Sequence, residues 1–109
     1  VLTINGTIDT HPLSESDFFL IRTGPATTNL DIFLEWDSWP VLDYLDMYLF
    51  NSAGVEIASS TTNTKGTEPE NEGDWTPSVD FNSVYYLEVR IDKDSSGGDP
   101  YTLTIAGDD

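Results

Sequence analysis

Two groups of oxygen-bearing side chains have spacings that suit a hard cation. Asp92-Lys93-Asp94-Ser95-Ser96-Gly97 places oxygens at the first, third and fifth positions of a run and glycine at the sixth. That is how a calcium loop begins. Asp99 is close enough in sequence to add another oxygen, while Leu103 takes the twelfth position, where such loops carry a bidentate Glu. The second group is Glu35, Asp37, Asp43 and Asp46, around a short connection. Calcium takes roughly 6–8 oxygens at about 2.3–2.6 Å, and loops can supply them. Asp92, Asp94, Ser96 and Asp99 rank ahead of Asp43 and Asp46, because ligands within one loop need no further fold to gather them. The plain alternative for both groups is solvated acidic surface, on a chain with 20 acidic residues against 4 Lys plus Arg.

Other chemistry finds little support. His11 is the only histidine and adjoins Pro12, so it reads as a loop residue. Neither an HExxH motif nor a nucleophile elbow occurs. Cysteine is absent, which excludes disulfides, thiolate zinc sites and a Cys nucleophile. A glycosidase carboxylate pair needs a substantial cleft, for which 109 residues leave little room. The expectation is a non-catalytic chain.

Aromatic residues are the second source of candidates: 3 Trp, 5 Tyr and 5 Phe. Trp39 and Trp75 fall in polar stretches, where a large apolar ring either stacks on a ligand or folds back as a lid on the core. Trp36 is expected at the core edge. Tyr48 and Phe33 stand on strand faces opposite the expected core and suit an apolar patch for a neighbouring domain or a cross-strand pair. Trp39, Trp75 and Tyr48 are therefore the ligand-binding candidates, for a protein or a polysaccharide.

These residues must be positioned by strands. Val, Ile, Thr, Tyr and Phe recur in short runs separated by Gly, Pro, Asn, Asp and Ser, and helical periodicity is missing. Strands are expected at 1–8, with a bulge or bend at Asn5-Gly6, and at 17–22. In 29–36, Leu30, Ile32, Leu34 and Trp36 share one face. In 43–60, Leu45, Met47 and Leu49 point to the core, and Tyr44, Asp46, Tyr48 and Phe50 point away from it. The turn Asn51-Ser52-Ala53-Gly54 supplies a glycine for positive φ and makes this stretch a hairpin. Residues 59–77 read as a long surface loop, followed by a short strand at 78–81. In 84–91, Tyr85, Leu87, Val89 and Ile91 face one way and Tyr86, Glu88 and Arg90 the other. Tyr101, Leu103 and Ile105 of the last strand face inward. Seven to eight such strands, each with one apolar face, bury those faces as an all-β antiparallel sandwich of jelly-roll type. A small barrel is the runner-up. Residues 1–109 form one domain.

The formal charge of −16 disfavours nucleic acid and anionic membrane surfaces and favours cations, basic protein patches or salt. No run approaches the roughly 20 apolar residues that cross a bilayer. Val1 opens in a strand-like stretch without Met, which reads as a mature protein or a domain of a longer chain.

In their joint order, "INGTID" at 4–9, "SDFFLI" at 16–21, "YLDMYLFNSAGVEIASS" at 44–60, "VYYLEVRI" at 84–91 and "YTLTIAG" at 101–107 resemble the bacterial pre-peptidase C-terminal domain family. The resemblance covers nearly the whole chain. Tyr44 departs from the family by taking a position where an acid is usual. The resemblance implies a jelly-roll-like sandwich that accompanies secreted bacterial peptidases without being catalytic, acting in substrate or partner binding, secretion or stabilisation. It implies an extracellular or cell-surface setting, and calcium in the collagenase relatives. A carbohydrate-binding module that uses the loop aromatics is the alternative.

Overall fold

The computed structural model describes residues 2–8, 16–36, 44–62, 64, 66–93 and 99–108; at 7, 8, 91–93 and 99 only the backbone is described. Eight strands follow one another: β1 (Leu2–Ile8), β2 (Ser16–Arg22), β3 (Leu30–Trp36), β4 (Tyr44–Asn51), β5 (Glu56–Ser60), β6 (Thr67–Glu68), β7 (Val84–Lys93) and β8 (Asp99–Gly107). They form two four-stranded antiparallel sheets, ordered β1-β8-β3-β6 and β2-β7-β4-β5. Among the described strands, only β4 and β5 are consecutive within one sheet, as a hairpin; every other consecutive pair lies in opposite sheets.

Alternation decides which side chains lie between the sheets. Leu45, Met47 and Leu49 of β4, Leu87 and Val89 of β7, Ile32 and Leu34 of β3 and Leu103 of β8 are fully buried. Ile21, Leu30, Trp36, Val79, Tyr85, Tyr101 and Ile105 complete the core, with Ile4, Phe19, Ala58 and Trp75 packed against it. Removing a Leu, Met or Val side chain from water stabilises the fold by about 1.5–3 kcal/mol each, so this shared layer holds the two sheets together.

The β4–β5 turn forms as its sequence predicts. Asn51 Oδ1 accepts hydrogen bonds from the backbone N–H groups of Ala53 and Val55, each at 3.0 Å. Gly54 takes a φ of 81°, in the left-handed region that suits glycine. A register shift between Leu49 and Phe50 follows the turn, leaving Ala58 opposite Leu49 and Glu56 opposite Phe50.

Four expectations are corrected. Asn5-Gly6 is not a bulge, since β1 pairs with β8 in continuous register from Leu2↔Ile105 to Ile8↔Asp99. Glycine serves another purpose there: a Cβ on Gly6 would lie 2.6 Å from Cζ of Tyr101, so the bare backbone leaves room for that ring. Phe33 is buried, although it alternates away from the intersheet core. Residues 66–78 are not a free loop. Trp36 N–H donates to Gly66 O at 2.9 Å, Ile32 N–H to Trp75 O at 3.2 Å and Leu30 N–H to Pro77 O at 3.1 Å, while Thr67 and Glu68 pair with Glu35 and Leu34. The segment satisfies the outer edge of β3, whose buried backbone donors need acceptors. The strand expected at 78–81 is reduced to a single bridge between Ser78 and Asn29.

Candidate interaction surface

The register gathers strand ends at one end of the sandwich. Ile8 pairs with Asp99, Trp36 with Tyr101 and Tyr44 with Lys93. The Tyr101 hydroxyl donates to Asp17 Oδ2 at 2.6 Å, across from one sheet to the other. Burial first, then the hydrogen bond to Asp17 and the Asp17 charge, hold the Tyr101 phenol well above the ordinary tyrosine range.

Four members of the two acidic groups fall in described strands, Glu35 in β3, Asp46 in β4, Asp92 in β7 and Asp99 in β8. Of Asp92 and Asp99 only the backbones are described; Asp43, Asp94 and Ser96 lie outside the described residues, as do Asp37, His11 and Trp39. Asp46 is on the outer side of β4 as expected, but it is buried, at 3% exposure, opposite Arg90 of β7. Among the described residues no group of three or more acidic or histidine side chains is arranged to hold a metal.

A different carboxylate is fully buried. Glu68 of β6, in the stretch expected to be loop, has no exposure. Ser60 Oγ donates to Glu68 Oε2, and Thr62 donates through its N–H at 3.0 Å and through its hydroxyl at 2.9 Å. Ser60 closes β5 of one sheet, whereas β6 belongs to the other, so this carboxylate ties the sheets together. Donors converge on it, as befits a structural anion and not a cation ligand.

The outer face of the β2-β7-β4-β5 sheet carries rings. Across it, Leu20, Tyr86 and Phe50 are in register, and beside them Phe18, Glu88 and Tyr48. The Arg90 guanidinium sits 3.9 Å from the Tyr48 ring centroid and bonds Glu88 Oε1 at 2.7 Å. Burial alone would raise the Glu88 carboxyl, but hydrogen bonds from Arg90 and Ser16 and the Arg90 charge outweigh it and hold the group below its ordinary value. Phe18 is 62% exposed, Leu20 51% and Tyr86 39%. Phe18, Phe50, Gly54 and Tyr86 line an apolar cleft of about 340 Å³.

Tyr48 therefore lies on the outer face assigned to it, half-buried beneath Arg90. Trp36 is buried in the core, and Trp75 packs against it as a lid. Among the described residues there is no exposed tryptophan platform for a sugar ring. A larger open groove, about 700 Å³, runs by Asn5, Glu35, Gly66, Pro100 and Thr102. Sequence reasoning missed the exposure of Phe18 and Leu20. Its available signal was the alternation of "SDFFLIR", in which Phe19 and Ile21 take the core side.

No family model and no curated protein matches the chain. Among solved structures, it is similar in fold to the pre-peptidase C-terminal domain of collagenase from Bacillus anthracis, with a TM-score of 0.62 and 18% sequence identity, over 96% of this chain and 88% of that one.

Proposed function

We propose that this chain is a non-catalytic accessory module of a secreted bacterial protein, a peptidase by preference, and that it acts outside the cell by holding a protein substrate, a partner or a neighbouring domain. The observation that carries this reading is the fold likeness, over nearly the whole chain, to a domain described as the pre-peptidase C-terminal domain of a collagenase. The exposed rings of Phe18 and Tyr86 support it, because contiguous exposed apolar surface marks interaction sites.

The test compares the parent protein with and without this module. Removal is expected to leave turnover of a short peptide unchanged and to weaken capture of a large protein substrate or lower the parent's melting temperature. The isolated chain should turn over no peptidase, nuclease or glycosidase substrate. Turnover by pure protein that one substitution abolishes would overturn the reading.

A further inference from the structure

We propose that the outer face of the β2-β7-β4-β5 sheet, around Phe18, Leu20, Phe50 and Tyr86, docks a cationic protein segment that sets an apolar side chain between its basic residues. This rests on the accessory-module reading and names the chemistry of the partner.

The apolar part follows from the cleft. Its walls are Phe18, Phe50, Gly54 and Tyr86, and its one side-chain polar atom is the tyrosine hydroxyl. A sugar needs several converging hydrogen-bonding groups, whereas an aliphatic or aromatic side chain needs none. The open space around Gly54, where a Cβ would meet nothing within 4 Å, keeps the cleft accessible from the hairpin side. Leu20 also borders a second groove of about 350 Å³, which Leu2, Arg22, Thr23 and Thr27 help to line, so the surface beyond Leu20 is of mixed polarity.

The cationic part follows from charge. The chain carries −16, which attracts a basic partner and repels a second copy. Of the cations on this face, Arg90 is neutralised by Glu88 at 2.7 Å, while Arg22 stands exposed beyond Leu20 at the end of β2, away from the Phe18–Tyr86 cleft. Arg90 illustrates the contact, with a guanidinium seated 3.9 Å above an aromatic ring of this face. A partner's Arg or Lys over Phe18 or Tyr86 would repeat that arrangement.

Three synthetic peptides test this by calorimetry: one repeating Arg-Leu-Arg-Phe, one repeating Arg-Ser and one repeating Glu-Leu-Glu-Phe. The first should bind at least about tenfold more tightly than the second, and the third should not bind. Phe18→Ala with Tyr86→Ala should abolish the difference between the first two, while Phe81→Ala, exposed outside the cleft, should preserve it. If the double variant fails to fold, Phe18→Ala alone carries the test, because that side chain is mostly solvated. Equal binding of the two arginine peptides would overturn the proposal, as would retention of the difference in the folded variants. So would dimerisation through this face in sedimentation, or binding of soluble glycan oligomers that the same variants lose. These measurements need no parent enzyme, so their failure leaves the accessory-module reading standing.

Discussion

The Tyr101 hydroxyl reaches across the sandwich to Asp17 at 2.6 Å, and the ring that carries it occupies the space where Gly6 has no side chain. Gly6 and Tyr101 are directly paired in the β1–β8 register. One glycine thus sets the path by which a tyrosine of one sheet holds a strand of the other.

Gly6→Ala should destabilise the domain by about 1–3 kcal/mol, the range for overpacking a filled site. The ring cannot swing aside freely while its hydroxyl is held by Asp17. Tyr101→Phe should cost about 0.5–1.5 kcal/mol through the lost hydrogen bond. Urea melts of both single variants and of Gly6→Ala with Tyr101→Leu measure the coupling: the smaller side chain should recover much of the alanine penalty, and simple additivity would count against the steric account.

Leu49→Ala and Leu87→Ala should each cost about 2–5 kcal/mol, from lost burial and the cavity left behind. Both residues are fully buried and face each other in register. Chemical denaturation checks the values, and a loss below about 1 kcal/mol would mean that the site collapses around the smaller residue.

Glu68→Ala should cost about 1–3 kcal/mol for a buried donor left without its acceptor. Ser60 is the donor at issue, being buried itself. Ser60→Ala should cost less, because Thr62 continues to hold the carboxylate. Equal losses in the two variants would argue against the carboxylate as the common anchor.

Acid should weaken the contact between Asp108 and the lead-in to β3 at Thr28 and Asn29. Asp108 accepts from Thr28 N–H at 2.7 Å, Thr28 Oγ1 at 2.6 Å and Asn29 N–H at 3.0 Å, which lowers its pKa to about 2 from an ordinary 3.8. A carboxyl lowered on folding stabilises the fold fully above its unfolded value and loses that contribution as pH falls through its folded value. The melting-temperature gap between the natural chain and Asp108→Ala should therefore be constant above about pH 5 and close between about pH 4 and pH 2. A gap independent of pH would detach Asp108 from the effect.

Sodium chloride should raise the melting temperature at neutral pH. Like charges crowd a surface of net −16, and at 1 M salt the screening length falls to about 3 Å. Identical melting curves at low and high salt would show that repulsion does not limit stability.

The alternation of apolar and polar residues was enough to determine the two-layer β-sandwich and the inward set Leu45, Met47, Leu49, Leu87, Val89, Leu103 and Ile105, because a strand's side chains alternate with period two and only one face can be dry. The Asn51–Gly54 turn was legible for a similarly local reason: its hydrogen bonds and positive φ arise within a few residues. The tertiary structure alone decided the rest. Glu68, in a stretch that reads as polar loop, is buried because β3 needs acceptors along its open edge and because Ser60 and Thr62 arrive from the other sheet. Gly6 answers to Tyr101, 95 positions away, not to its neighbours. Asp46 alternates outward yet is buried opposite Arg90. The ring-bearing face exists only because strand pairing sets Phe18, Tyr86 and Phe50 side by side from three separate segments. Local periodicity specifies which way a side chain points; which partner it meets depends on sheet order and register, which join residues far apart in the chain.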